Sequence, residues 1–309
     1  MSAKGRLILN PGAGRGRGRR RAEALETLAR HHGLELKLSR DAADLTALAA
    51  EAARDGLERV FVAGGDGTLH HAIQGLVGTA TALAPIPLGS GNDLAMALST
   101  PLGSMERALD VGSTAEIGSI DLARIDTTTT SRHYSCVASC GFDAAVNAVA
   151  NRITAISGPI IYIWAVLRTL AGFRPPHLEV EWDGGGWNGP AMFAVTANGP
   201  SYGGGMRIAP AASLVDGVLD VVVVKAVSKA TLLAVFPKVF GGHHIDHPAV
   251  VLGRGSHIRL QAEPSGDLYG DGELVGPLKG AAAEITVAPR ALRVVTTVAA
   301  LHRANVASA

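Results

Sequence analysis

Two short glycine-rich segments, Gly64-Gly65-Asp66-Gly67-Thr68 and Pro87-Leu88-Gly89-Ser90-Gly91-Asn92-Asp93, hold the residues of this chain best suited to chemistry. Each closes a short apolar run, Val60-Phe61-Val62-Ala63 in the first case, and each carries one aspartate towards a helix-like stretch. Glycines let a backbone approach a ligand closely, and the N–H groups that open a helix face negative charge. A strand, a glycine turn with an aspartate and then a helix, occurring twice, is what a polyphosphate and its metal require. Asp66 is placed to hold Mg2+ directly or through water, since that ion takes hard oxygen ligands. Thr68 reads as the cap of a helix that starts at Leu69. No G-x-x-x-x-G-K-[ST] segment occurs, which excludes a P-loop enzyme.

Other segments are weaker. Asn10-Pro11-Gly12-Ala13-Gly14 follows the first apolar run and could contact a nucleotide or simply turn the chain. The arginine-rich run 15–21 reads first as a solvated opening turn of a helix. Gly184 to Gly189 fits G-x-G-x-x-G, but Pro190 and a strand follow it, so no helix start meets a pyrophosphate. Gly199-Pro200-Ser201-Tyr202-Gly203 fits G-x-S-x-G, yet a nucleophile elbow must lead into a helix and this one leads into more glycines. His243, His244, Asp246 and His247 lack the spacing of a zinc motif and read as a polar loop. Asp183-Gly184, Asp216-Gly217 and Asp271-Gly272 are dipeptides that tight hairpins favour.

The elements that must position these residues alternate up to about residue 125. Leu7 to Leu9 reads as a strand and Arg20 to His32 as a helix with Ala22, Leu25, Leu28 and Ala29 on one face. Leu34 to Leu38 alternates as a half-buried strand does, Asp44 to Asp55 is helical, and Arg59 to Ala63 is a strand. This β-α-β-α-β order predicts an α/β domain with a mostly parallel sheet over residues 1–122. Ligands of such sheets sit at the carboxyl ends of the strands, where both glycine turns fall. Residues 123–309 predict a β-rich second domain, with strands at His133–Ala138, Leu178–Trp182, Ala191–Ala197, Leu219–Val224, His257–Leu260 and Glu284–Val287. Helices near Ile160 and over Lys229–Val239 interrupt it, and the absence of a long linker predicts a cleft between the domains.

Composition narrows the class of function. With 309 residues, 47% of them hydrophobic and 18% charged, the chain can bury two cores and is not disordered. A net charge of +1 argues against a nucleic-acid partner and against a polybasic membrane anchor. Cys136 and Cys140, the only cysteines, cannot complete a four-ligand zinc site and read as small buried or half-buried side chains in a reducing cytosol. No secretory leader is expected at Met1 to Asn10. The most lipid-like stretch, Ile153 to Phe173, is broken by Gly158-Pro159 and Arg168 and falls short of the ~20 residues a span needs.

Taken in order, Asn10-Pro11, Gly64 to Thr68, Gly89-Ser90-Gly91-Asn92-Asp93, Tyr202-Gly203-Gly204-Gly205-Met206 and Asp271-Gly272-Glu273 resemble the diacylglycerol kinase catalytic-domain family. These are lipid kinases related to sphingosine and ceramide kinases and, more distantly, to NAD kinases. The resemblance implies an N-terminal nucleotide domain of NAD kinase and phosphofructokinase type, a C-terminal β-sandwich whose tail may return to the first domain, and a site between them. It implies ATP and Mg2+, with Asn10, Pro11, Gly64, Gly65, Asp66, Gly67 and Thr68 around the nucleotide. Gly89, Ser90, Gly91, Asn92 and Asp93 would also bind the cofactor, with Asp93 at the substrate and metal side of the cleft. Asp66 and Asp216 would serve the metal, and Asp271 would be the general base with Glu273 the next candidate. The implied acceptor is a lipid hydroxyl, most simply that of diacylglycerol, reached by peripheral contact with the inner membrane surface from the cytoplasm. The lipid's identity and the choice between monomer and homodimer stay open. Ile153–Trp164 and Val235–Phe240 are the candidate walls of an acyl groove. The competing readings are an NAD kinase and a nucleotide-binding regulator without catalysis.

Overall fold

The computed structural model describes residues 5–152, 159–278 and 280–298, with side chains described for all of these except 14–17, 147, 150–152 and 159–164. The chain divides into two compact units. One comprises Met1–Leu122 with Pro289–Ala309, the other Ala123–Ala288.

In the first unit the elements run β1 (Gly5–Leu9), α1 (Ala13–His31), β2 (Leu34–Leu38), α2 (Ala42–Arg54), β3 (Arg59–Gly64), α3 (Asp66–Leu76), β4 (Ala82–Pro87), α4 (Asp93–Ala97) and α5 (Met105–Thr114), followed by β5 (Ile117–Asp126). Strands β2, β1, β3 and β4 lie side by side in that order, all parallel. Strand β1 is wholly buried and apolar apart from Arg6, as a strand covered on both faces must be. Helix α2 buries Leu45, Ala49 and Ala52 on one stripe, and Asp41 caps it by accepting the Asp44 N–H at 2.8 Å. Arg6, almost fully buried, is held by Glu35, Glu51 and Asp55. A core of Leu7, Leu9, Leu25, Phe61, Ile86 and Leu109 fills this unit.

Two boundaries differ from the sequence expectation. Helix α1 begins at Ala13 and not at Arg20, because Asn10 opens it: its side-chain oxygen accepts the Gly12 N–H at 2.9 Å and its carbonyl accepts the Ala13 N–H at 3.0 Å. Helix α3 begins at Asp66 with Gly65 as its first flanking residue, so Thr68 is not a cap but a buried first-turn residue.

The second unit continues with β6 (Ser131–Tyr134), β7 (Val137–Gly141), α6 (Phe142–Arg152), α7 (Pro159–Gly172), β8 (His177–Trp182), β9 (Gly185–Ala197), β10 (Leu219–Lys225) and α8 (Lys229–Val235). Then come β11 (Val250–Gly255), β12 (His257–Glu263), β13 (Gly266–Gly270), β14 (Glu273–Leu278) and β15 (Ala283–Val295). Strand β9 serves two sheets. Its first half pairs with β8, which continues to β12 and the start of β15. Its second half lies between β10 and β7, flanked outward by β11 on one side and by β13 and β14 on the other. Inward-facing Leu178, Val180, Ile258 and Leu260 meet Val221, Val223 and Leu268 in one core, the packing of a sandwich. The last residues of β15 belong to the first unit, where Val294 pairs in parallel with Leu83 of β4.

Asp183-Gly184 and Asp271-Gly272 do join paired strands. Asp216-Gly217 does not; it precedes β10 as a bend in a long connection from β9. The predicted strand His133–Ala138 is split into β6 and β7, because the amides of residues 135–137 turn to a carboxylate described below. The predicted helix at Lys229–Val239 stays α-helical only to Val235 and continues as a 3-10 turn over Phe236–Gly241. Pro237 has no N–H and its ring crowds the carbonyl four residues earlier, which ends the α ladder. Among the described residues no helix is long and apolar enough to cross a membrane.

Candidate functional site

In the first unit three connections leave the carboxyl ends of adjacent parallel strands, and side chains tie them together. After β1, the Asn10 Nδ2–H donates to Thr68 Oγ1 at 3.0 Å, while the Asn10 backbone N–H bonds the Ala63 carbonyl of β3. After β3, the Asp66 carboxylate reaches over to the loop after β4. Its two oxygens accept the N–H groups of Asn92 and Asp93, each at 2.7 Å. Asn92 closes that loop on itself, accepting the Gly89 N–H and donating to the Gly89 carbonyl, both at 3.0 Å. It does so from a left-handed backbone, φ 61°, which asparagine tolerates better than most residues.

Gly65 and Gly89 are glycines because their loops touch. A Cβ on Gly89 would stand 2.6 Å from the Gly65 Cα and 2.9 Å from Asn92 Oδ1. A Cβ on Gly91 would collide with Asp66 Oδ2 and lie 3.3 Å from Asp93 Oδ2. Two carboxylate oxygens therefore converge at Gly91. Among the described residues no cluster of three or more His, Cys, Asp or Glu side chains could hold a metal. A pair of carboxylates fits Mg2+, which keeps several waters and leans on substrate phosphates. Ser90 is exposed at the rim, whereas Asn92 and Asp93 are buried.

In the second unit the Asp271-Gly272 hairpin turn carries the predicted base, and donors from the β6–β7 connection surround its carboxylate. Asp271 Oδ2 accepts the Ser135 N–H at 2.7 Å and the Ser135 hydroxyl at 3.0 Å. Oδ1 accepts the N–H groups of Cys136 at 2.9 Å and Val137 at 3.2 Å. Four donors fasten the β13–β14 turn to the β6–β7 connection. Asp271 is in the left-handed region, φ 50°, as both central residues of this kind of two-residue turn must be. Glu273, the first residue of β14, is half-buried. Asp216 is drawn to Arg254, which also reaches Asp220 at 3.3 Å. The other Asp216 oxygen accepts the Val218 N–H at 3.3 Å.

The same unit contains an apolar cavity of about 60 Å³, lined by α6, α7, α8 and the segments after β9 and α8. Phe142, Val146, Val166, Leu232 and Phe236 supply its walls. Its polar groups are few. Asp143, 4% exposed, accepts the Tyr202 hydroxyl hydrogen at 2.8 Å. His244, also 4% exposed, donates its Nε2–H to the Ile208 carbonyl at 3.0 Å, and burial pushes its pKa below the usual value. His244 is thus a cavity residue and not part of a solvated loop. Val235, Phe236 and Val239 line the cavity as the sequence suggested, while Phe240 is exposed. The other suggested wall, residues 153–164, lies outside the described residues and side chains. Both cysteines are buried, and burial pushes the Cys140 thiol up to about 12, so it stays protonated and inert.

Comparison with known proteins gives the family. Residues 4–125 match the diacylglycerol kinase catalytic domain, and residues 136–296 match the YegS C-terminal NAD kinase beta sandwich-like domain. A diacylglycerol kinase of Mycobacterium tuberculosis (strain CDC 1551 / Oshkosh) is 34% identical over 291 residues, 93% of each chain. The chain belongs to the diacylglycerol kinase catalytic-domain family. It is therefore a kinase of the lipid kinase kind, and the family implies ATP as its phosphoryl donor. A diacylglycerol kinase of Bacillus subtilis (strain 168) is 27% identical over 242 residues, 77% of this chain and 78% of that one. The crystal structure of a diacylglycerol kinase from Bacillus anthracis str. Sterne shares the fold, with a TM-score of 0.69 at 19% identity and coverage of 97% and 98%.

Within this family member, the tertiary structure brings Asn10, Gly64 to Thr68 and Gly89 to Asp93 to one set of strand ends, with Pro11 in the turn after β1. Asp271 and Glu273 share the other unit with Asp216, on different connections. Sequence reasoning missed the 135–137 amides, since backbone donors leave no residue signature. It also missed Asp143, although an acid in an apolar stretch directly after Cys-Gly-Phe was there to be read.

Proposed function

We propose that this kinase transfers the γ-phosphoryl group of ATP to the hydroxyl of a lipid, with diacylglycerol as acceptor and phosphatidic acid as product. One observation carries the reading: the Asp66 carboxylate locks the Gly89–Asp93 loop against the Gly64–Thr68 turn. That lock leaves amide-rich, glycine-lined backbone at the strand ends beside two converging oxygens, the surface a triphosphate needs. Asp66 with Asp93 would hold Mg2+, which when bound neutralises charge on the phosphates. The chain's own part is to align the donor through Asn10, Thr68 and the loop amides, since phosphoryl transfer is governed chiefly by positioning and electrostatics.

Glu273 is the general base. The Asp271 oxygens are committed to four donors, and a base must offer a lone pair to the acceptor's hydroxyl. Glu273 takes that proton, the hydroxyl oxygen bonds to the γ-phosphorus, and the bond to the β–γ bridging oxygen breaks, releasing ADP. Asp271 holds the turn on which Glu273 sits and is a positioning residue. The apolar cavity of the second unit, with its Phe, Val and Leu walls, supports a lipid acceptor, because acyl chains gain by leaving water for such walls.

The test is phosphate transfer from γ-labelled ATP with Mg2+ to diacylglycerol in mixed micelles, with sphingosine, phosphatidylglycerol and NAD in parallel. Label in phosphatidic acid is expected. Label in another lipid would keep the site and replace the acceptor; label only in NADP would overturn the reading.

A further inference from the structure

Three large hydrophobic side chains of the second unit face solvent on neighbouring elements: Leu167 at 52%, Leu233 at 40% and Phe240 at 53% exposure. Isolated exposed leucines are ordinary, but these are linked. Leu167 and Ala171 stand one turn apart on α7. Lys229 Nζ donates to the Ala171 carbonyl at 2.6 Å, fastening the end of α7 to the start of α8. One turn further along α8 comes Leu233, which with Phe236 borders the apolar cavity. Phe240 then packs edge-on against the Phe236 ring, 6.2 Å between centroids. An open groove lined by Ala145, Val149, Leu167 and Ala171, with Arg168 and Thr169 beside them, extends this surface along α6.

Charge is distributed to match. Segments 165–176 and 228–242 carry Arg168, Arg174, Lys229 and Lys238 and no acid, in a chain whose net charge is only +1. All four basic residues are exposed. An apolar strip flanked by cations, reaching the rim of an apolar cavity, has the chemistry of an interfacial surface. We propose that this α7–α8 face docks on a phosphoglyceride bilayer containing anionic lipid, with Leu167, Leu233 and Phe240 inserted at the acyl boundary and the four cations at the headgroups. A lipid could then pass from the bilayer towards the cavity without crossing open water. Only this last consequence rests on the lipid-acceptor reading.

The experiment uses the full chain with sucrose-loaded vesicles of phosphatidylcholine, with and without phosphatidylglycerol. The wild type should sediment with the anionic vesicles. Leu167→Ser with Phe240→Ser, neither residue lining the cavity, should lower that partition about tenfold or more. Melting temperature and turnover of dispersed short-chain diacylglycerol should not change. Arg174→Gln with Lys238→Gln should lower partition about fivefold per charge on anionic vesicles only. Equal partition of wild type and both double variants, or no partition of the wild type at low salt, would overturn the docking face. Vesicle binding that responds to the variants in a protein that phosphorylates no lipid would support the face and sink the acceptor reading. Unchanged turnover by every variant on vesicle-borne diacylglycerol would do the reverse.

Discussion

Replacing Asp271 and Glu273 one at a time separates a positioning carboxylate from a catalytic one. In Asp271→Asn, the left-handed backbone is retained, since asparagine accepts φ near 50°. One side-chain position becomes an NH2 group facing donors. If the amide oxygen keeps the Cys136 and Val137 N–H groups, the Ser135 N–H and hydroxyl lose their acceptor, or the reverse. Each hydrogen bond to a charged group is worth about 1.5–3 kcal/mol net. Two lost bonds therefore cost about 3–6 kcal/mol, or about 6–24 °C in melting temperature for a unit of this size. Glu273→Gln leaves the Asp271 network in place and should cost less melting temperature than Asp271→Asn, while cutting kcat by about 10²–10⁴-fold, the range for a lost general base. The assay pairs thermal unfolding with single-turnover phosphorylation of diacylglycerol below the lower melting temperature. An Asp271→Asn protein of wild-type stability and negligible turnover, beside an active Glu273→Gln, would refute the assignment and make Asp271 the base.

Gly89→Ala should drive the Gly89 and Gly65 loops apart, costing about 1–3 kcal/mol as overpacking does, and should weaken ATP binding about tenfold by calorimetry; unchanged affinity would mean the loops do not cradle the nucleotide. Asp41→Ala removes the α2 cap and should lower stability by about 1 kcal/mol without touching turnover, a control for effects remote from the site. Because burial depresses the His244 pKa, the unfolded chain takes up its proton first on acidification. The contribution is complete above the ordinary value of about 6.5 and is lost as pH falls from there towards the lowered folded value. His244→Gln, whose amide can still donate to the Ile208 carbonyl, should flatten that part of the curve of melting temperature against pH; a curve parallel to wild type would mean another group titrates. Tyr202→Phe removes the donor to the buried Asp143 carboxylate and should lower the melting temperature by about 3–12 °C and raise KM for the lipid several-fold, measured with diacylglycerols of varied chain length below that temperature.

Much of the first unit could be read from residue order. Leu34 to Leu38 alternates, Asp41 with Leu45, Ala49 and Ala52 writes a capped amphipathic helix, and Asp-Gly marks two of the three turns suggested as hairpins. The chemistry-bearing types were legible for the same reason, since few sequences place three glycines and an aspartate between an apolar strand and a helix. The errors came where a distant group overrode a local preference. His133–Ala138 has strand character throughout, yet Asp271, more than a hundred residues away, claims the amides in its middle. Thr68 has capping chemistry, yet Asn10 binds its hydroxyl inside the helix.

The sequence by itself determined which residues could bind phosphate, which could accept a proton, and the alternation that builds a parallel sheet first and a sandwich second. Those follow from side-chain chemistry and from periods of two and 3.6 residues, which are local properties. Only the tertiary structure decided what each carboxylate touches. Asp66, Asp216 and Asp271 are one chemical group in three Gly-adjacent settings. One joins two loops by their amides, one meets a guanidinium, and one is saturated by four donors. The free energy of a carboxylate depends on the donors within about 3 Å of it, and chain folding, not sequence neighbourhood, supplies those donors.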